Sequence, residues 1–220
     1  MNWHERDGVR WLEADLPGAR AIFSTRSAGS VRENPEPLAS ALGIDPERIA
    51  VADQVHGTNL ERHAGSQTRK LVEADGHVLT GPDLAALVFV ADCLPVALSG
   101  PGGAAILHCG WRGLAAGIVA KGVAAIDATD AVIGPGIGPC CYEVGDQVLA
   151  AFSGLGDGVA SGRMLDLTEV ARRRLAAAGV ERIEAAGMCT SCEEELFFSY
   201  RRDGERAGRQ AGLVWTHEVA

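Results

Sequence analysis

The sequence predicts an α/β or α+β fold, and three observations carry that reading. LAALVFVADC and GGAAILHCG are β-capable apolar runs bounded by Gly and Pro, the pattern of strands covered on both faces. LDLTEVARRRLAAAGV places Asp166 and Glu169 at capping-box spacing and Gly179 where a helix would end, which predicts a helix between them. RGLAAGIVAKGVAAID is Ala-rich and long enough for another helix, with three internal glycines weighing against it. Strands interleaved with helices give a mixed class.

The remaining elements follow in chain order. ARAIFSTRSAG reads as a short strand running into a Gly/Ser loop, and SVRENPEPLASALGIDPERIA as a loop with one short helix. VADQVHG and ADGHVLTG are candidate strands with loop ends, and DAVIGPGIG is a returning strand. The order of strands within a sheet is not legible at this level.

Composition narrows the function classes. The 220 residues fit one domain, 1–220, with no linker that would divide it. At 47% hydrophobic and 22% charged the chain is globular, and no apolar run approaches the roughly eighteen residues of a membrane helix. MNWHERDGVRWLEADLPG has neither the basic start nor the apolar stretch of a secretory signal, so a cytoplasmic location is expected. Six cysteines there read as thiols or ligands rather than a disulfide framework. A net charge of −9 argues against a nucleic-acid surface. Monomer and homodimer are both open.

Chemistry gathers where apolar runs end. A catalytic zinc site uses three protein ligands and leaves a fourth position open. Cys93 and His108 stand at strand ends, and His56 in DQVHGT precedes a Gly. Each is eligible as a ligand, although a single such His or Cys is also common as structure. Period two puts Ile106 and His108 on one face and Cys109 on the other, so Cys109 belongs to the core. Cys189 and Cys192 have redox-pair or half-zinc-site spacing with no second Cys-x-x-Cys to complete a site. The vicinal Cys140 and Cys141 read as loop thiols that do not easily share one tetrahedral metal. His4, His63, His77 and His217 read as surface residues. IGPGIGPCCYEVG is a glycine-rich turn that could offer N–H groups to an anion, and Arg26, Arg201 and Arg202 lie beside aromatics and Gly.

Taken together and in order, QVHGT, ADCLPV, ILHCGWRGL, IGPGIGPCCYEVG and FFSYRRDGERAGRQAGL resemble the YfiH-like family. That family is also called laccase-domain proteins, polyphenol oxidases, peptidoglycan editing factors or purine nucleoside phosphorylases. The resemblance runs from about Ala21 to Leu213. It implies a single-domain YfiH-like fold of mixed sheets flanked by helices, with a metal-binding cleft. The family's zinc ligands carry over to His56, Cys93 and His108. The activity implied is phosphorolysis of adenosine, inosine, guanosine and methylthioadenosine, together with deamination of adenosine. Purine nucleosides and phosphate are then the partners, with no nucleic acid and no membrane.

Two departures from the family pattern stand out. The stretch from 27 to 55 is shorter, with Asn34 as the residue that would stand in for a family Asn, and Cys109 replaces the small residue of HAGWRG. Within this frame Asp92 would orient the ligands or shuttle a proton. Arg26 is the first expected anion contact, followed by Arg112 and Arg201, and Trp111 either touches the base or packs in the core. Three rivals share the motifs. A copper polyphenol oxidase would need several copper ions and many His ligands, and the chain has six histidines. A cell-wall precursor hydrolase could use the same zinc site or Cys93 as nucleophile. A non-catalytic zinc-binding module would show closed four-ligand coordination.

Overall fold

Alternation along the apolar runs decides the layering of the molecule. The computed structural model describes residues 1–65 and 72–217. In chain order the first elements are β1 (Asn2–Arg6), β2 (Val9–Leu16), β3 (Ala19–Ser24), α1 (Glu36–Leu42), β4 (Ile49–Ala50), β5 (Leu60–His63) and β6 (Gly76–Leu79). Then come β7 (Ala85–Val90), β8 (Leu94–Gly100), β9 (Gly103–Cys109), α2 (Trp111–Ala116), α3 (Ile118–Ile126) and β10 (Asp130–Ile133). The last are α4 (Asp146–Phe152), β11 (Ala160–Ser161), β12 (Met164–Leu165), α5 (Leu167–Ala177), β13 (Arg182–Ala185), α6 (Tyr200–Asp203) and β14 (Gln210–Thr216).

Two six-stranded sheets carry the fold, one ordered β1-β2-β3-β14-β7-β4 and the other β13-β10-β8-β9-β6-β5. Most neighbours are antiparallel, whereas β4–β7, β5–β6 and β10–β13 pair in parallel. The sheets are therefore mixed, as the family resemblance implies. Side chains of successive residues point to opposite faces. In β9, Ala104 and Ile106 join a core shared with Phe23, Val88 and Val214 of the other sheet. Ala105, Leu107 and Cys109 face the opposite way, onto Leu114, Ile118, Val119 and Val170 of the helices. The outer face of the first sheet is covered by α1 through Leu38 and Ala39, packed with Ile22, Leu87 and Leu213. The layers run helix, sheet, sheet, helices. Between the sheets Gly212 is required, because a Cβ there would stand 2.2 Å from Pro95 Cβ.

Several predicted elements take the expected form. Asp166 caps α5, its Oδ1 accepting from the Glu169 N–H at 2.9 Å, and Gly179 follows with a left-handed φ of 95°. Cys109 is fully buried in the helix-side core. Trp111, half-buried, packs against that same core.

Others differ for identifiable reasons. The Ala-rich helix is two helices, because Gly117 adopts φ 91° between α2 and α3. VADQVHG forms no strand: only Asp53 makes an isolated bridge, to Glu73, and His56 turns the chain with φ 59°. His77 is not a surface residue. It lies in β6 between β5 and β9 and is 1% exposed, its Nδ1 paired with His63 Nε2 at 3.0 Å. A strand buried on both faces shows no polar alternation, so nothing marked that His as interior. No helix among the described residues is long and apolar enough to cross a membrane.

Candidate metal centre and cavity

The ends of β9 and of the β7–β8 connection bring His108 and Cys93 together, and the turn at His56 comes up beside them. Candidate ligand atoms of His56, Cys93 and His108 all lie within 4.8 Å of one another. The two imidazoles meet edge-on, with centroids 4.8 Å apart and planes at 71°. Gly110 leaves room for this, since a Cβ there would sit 2.9 Å from Cys93 Sγ and 3.2 Å from His56 Cδ2.

One residue organises the set, and sequence reasoning missed it. Asp75, fully buried just before β6, places Oδ1 2.8 Å from His108 Nδ1. The same oxygen accepts from the His56 N–H at 2.9 Å. Its Oδ2 accepts from the N–H groups of Gly57 at 2.6 Å and Val55 at 3.2 Å. A carboxylate at Nδ1 favours the proton there and leaves Nε2 of His108 available to a metal, the arrangement in which metal-binding histidines are held. In the sequence Asp75 was one acid among many before a Gly. It had no spacing to distinguish it.

The electrostatics follow from these contacts. Burial alone would push the Cys93 thiol up, but hydrogen bonds from His108 and His56 outweigh it and lower its pKa to about 6. Burial would likewise lower His108, yet its bonds to Asp75 and Cys93 raise it to about 9. Asp75 is itself held below the usual carboxylate range: burial opposes this, and the His108 and backbone N–H bonds prevail. Two imidazoles and one readily ionised thiol suit a borderline-soft divalent ion with a further position left for substrate. The residues present fit zinc.

The trio opens on a cavity of about 410 Å³, within the range of small-molecule sites. Asp92, Arg112 and Arg201 also line it. Asp92 is buried, with an unusual φ of 90°, and both its carboxylate oxygens are engaged: Oδ1 accepts from Thr190 Oγ1 at 2.7 Å and Oδ2 from the Arg201 N–H at 2.6 Å. Asp92 thereby ties the turn at Thr190 to the start of α6. Arg201 donates Nη1 to Cys141 O and Nη2 to Glu143 O, each at 3.0 Å, so its guanidinium is spent on the backbone. Arg112 lies over the Trp111 ring at 4.8 Å.

Arg26, the first expected anion contact, is not brought to the cavity. The turn after β3 aims its Nη1 at Glu194 O, 2.6 Å away, and sets its guanidinium over Phe198. In its place the shortened 27–55 stretch contributes Arg32. Asn34 instead accepts from the Glu36 N–H at the start of α1. Phe89, Tyr142, Tyr200 and Arg209 also line the cavity, with Gln54, Ala91 and Ile137, and went unnoticed in the sequence, because they come from separate segments. Burial raises the Tyr142 phenol to about 12.

A second grouping departs from expectation. The Cys189–Cys192 pair does have a complement, supplied by the vicinal Cys140 and Cys141: their four Sγ atoms lie within 4.8 Å of one another. The search for a second Cys-x-x-Cys missed it because a tight turn, rather than that spacing, brings the adjacent thiols together.

Comparison with known proteins places the chain in a family. Residues 24–217 match the family model described as multi-copper polyphenol oxidoreductase laccase. A protein of Shigella flexneri named purine nucleoside phosphorylase YfiH is 37% identical, over 84% of this chain and 80% of its own length. A purine nucleoside phosphorylase of Pseudomonas aeruginosa is 33% identical, over 94% of this chain and 99% of its own. The crystal structure of the Bacillus licheniformis hypothetical protein YfiH superposes with a TM-score of 0.85 at 28% identity, covering 98% of this chain and 99% of that one. That of YlmD from Geobacillus stearothermophilus gives 0.84 at 30% identity, with the same coverage. On a family match spanning most of its length and relatives this similar, the chain belongs to the YfiH-like, laccase-domain family.

Proposed function

We propose that this chain is a zinc-dependent purine nucleoside phosphorylase that also deaminates adenosine. The observation that carries the reading is the convergence of His56, Cys93 and His108 on a nucleoside-sized cavity that arginines and aromatic rings also line. The names of the Shigella and Pseudomonas relatives support it.

Bound by His56, Cys93 and His108, zinc would supply positive charge that polarises an oxygen of phosphate, ribose or water. The protein's own groups do the rest. Arg32 and Arg112 are exposed at the cavity and, unlike Arg201, have no described hydrogen bond fixing their guanidinium groups. They are the contacts for phosphate, whose geometry an Arg fork matches. Phe89, Tyr142 and Tyr200 offer ring faces for a purine. Tyr142 keeps its proton at neutral pH, so its hydroxyl can donate to a ring nitrogen as the base departs from C1′. In deamination water takes the place of phosphate, and the arginines become dispensable.

Chromatography of products from zinc-loaded protein tests this. Adenosine and inosine are each incubated with and without phosphate, alongside His108→Ala. Phosphate-dependent release of free base, lost in the variant, is expected, as is inosine formed from adenosine without phosphate. Folded, zinc-loaded protein that yields neither product overturns the reading.

A second reading has one observation in its favour. Cys93, His108 and Asp75 form a chain of nucleophile, base and orienting acid, the order of a cysteine hydrolase. Hydrolysis of a cell-wall precursor by metal-free protein, with a covalent adduct on Cys93, would favour it.

A further inference from the structure

Cys140, Cys141, Cys189 and Cys192 line none of the cavity described above, yet two distant segments deliver all four sulfurs to one place. We propose that they form a second metal centre, a closed tetrathiolate site for zinc. Cys192 Sγ is 3.4 Å from Cys140 Sγ and 3.4 Å from Cys141 Sγ. Four sulfurs about 2.3 Å from a tetrahedral zinc stand about 3.8 Å apart, so the cluster has the size that the ion sets. A disulfide would instead select one partner at about 2.05 Å. Here Cys192 has two equal neighbours, and the fourth sulfur, that of Cys189, lies within 4.8 Å of the other three.

The backbone supports the same assignment. Cys189 sits on a turn closed by the Cys192 and Glu193 N–H groups donating to Cys189 O at 3.1 and 3.0 Å. The opposite pair sits on a turn closed by the Cys141 and Tyr142 N–H groups donating to Gly138 O at 3.0 and 3.1 Å. The Gly138 N–H points at Cys189 Sγ from 3.2 Å, a charge-assisted bond once that sulfur is a thiolate. The two turns are joined by the Thr190 N–H donating to Gly136 O at 3.0 Å. Zinc binding here releases the thiol protons and leaves no open ligand position, which makes the site structural rather than catalytic.

Its place in the fold gives it a task. Ile137 and Tyr142, on either side of the first turn, line the cavity. Thr190, inside the second, holds Asp92, and Arg201 clasps Cys141 O. A metal bridging the turns fixes this wall without touching substrate.

Metal analysis of the full-length chain, purified with zinc under reducing conditions, is the test. Two zinc ions per chain are expected. The double variant Cys189→Ser, Cys192→Ser retains one, and His56→Ala, His108→Ala loses the other. Cobalt substitution gives an independent reading, because only one sulfur belongs to the cavity site: thiolate-to-cobalt absorption should fall by most of its intensity in the cysteine variant and little in the histidine variant. If the cysteine variant does not fold, zinc-edge X-ray absorption on the unmodified chain decides, with sulfur outnumbering nitrogen around the bound ions. A single zinc per chain in an environment of mostly nitrogen, with the four thiols reacting freely in native protein or joined as disulfides, overturns the proposal.

Discussion

Asp75 Oδ1 lies 2.8 Å from His108 Nδ1 while accepting the His56 N–H at 2.9 Å, so one buried carboxylate positions both imidazoles of the trio. Replacing it with Asn keeps the shape but loses the charge and one acceptor. Asp75→Asn should weaken zinc binding about 10- to 100-fold, as loss of such orienting acids does. It should also lower stability by about 1–3 kcal/mol through the unsatisfied amides. Chelator competition and denaturant unfolding measure the two effects. Unchanged zinc affinity would show that the carboxylate only braces the loop.

The thiol of Cys93 gives a pH signature in zinc-free protein. Its pKa of about 6 and that of His108, about 9, place a thiolate–imidazolium pair between those values. Alkylation at Cys93, mapped by mass spectrometry, should rise with pH through about 6. His108→Ala should shift the rise upward toward the ordinary thiol range, because the main stabilising partner is gone. Zinc should protect the residue in the parent protein. A rise in the ordinary range from the outset would refute the pairing.

Tyr142 lines the cavity, and with its pKa raised to about 12 it stays protonated at working pH. If its hydroxyl donates to the departing base, Tyr142→Phe should lower kcat about 10²-fold, the scale of a single positioned proton donor. KM and zinc content should stay near the parent values. An effect confined to KM would assign the ring to binding alone.

Much of the site was visible in the sequence, and the missing parts share a physical cause. His56, Cys93 and His108 are chemically uncommon residues at strand ends or turns, so composition and position alone made them candidates. Period two also assigned Cys109 to the core, where it is fully buried. Asp75, by contrast, acquires its role only when the backbone of 55–57 folds over it. Arg32 reaches the cavity, and Arg26 does not, because of where the turn after β3 aims each guanidinium. Helix α5 was legible by its Asp166 cap and Gly179, whereas α4 and α6 went unread and the Ala-rich stretch divides at Gly117. The strand order and the pairing of the cysteine turns depend on contacts between distant segments, which no local period encodes.

Gly110 tests how tightly the trio is built. Its hydrogen faces Cys93 Sγ, and a methyl group there would stand 2.9 Å from that sulfur and 3.2 Å from the His56 ring. Both belong to the candidate metal trio, so relief requires moving one of them. Gly110→Ala should reduce activity about 10²-fold, as displacements near 1 Å do, and should lower zinc affinity in parallel. Full activity with a well-ordered alanine would mean that the site tolerates more slack than its geometry implies.

His77 makes stability depend on acid. Burial holds its pKa down to about 3, with the nearby His63 adding to the effect, against 6.5 for a free imidazole. The folded protein therefore keeps His77 neutral where the unfolded chain takes up a proton. Stability is lost as pH falls from about 6.5 toward 3, at up to about 1.4 kcal/mol per pH unit from this residue. His108, raised rather than lowered, is protonated in both states across most of that window and adds little slope. Denaturant titrations of zinc-free protein at several pH values isolate the effect from metal release. His77→Gln, which does not titrate, should flatten the slope even if it is less stable at neutral pH. An equally steep decline in the variant would place the acid sensitivity elsewhere.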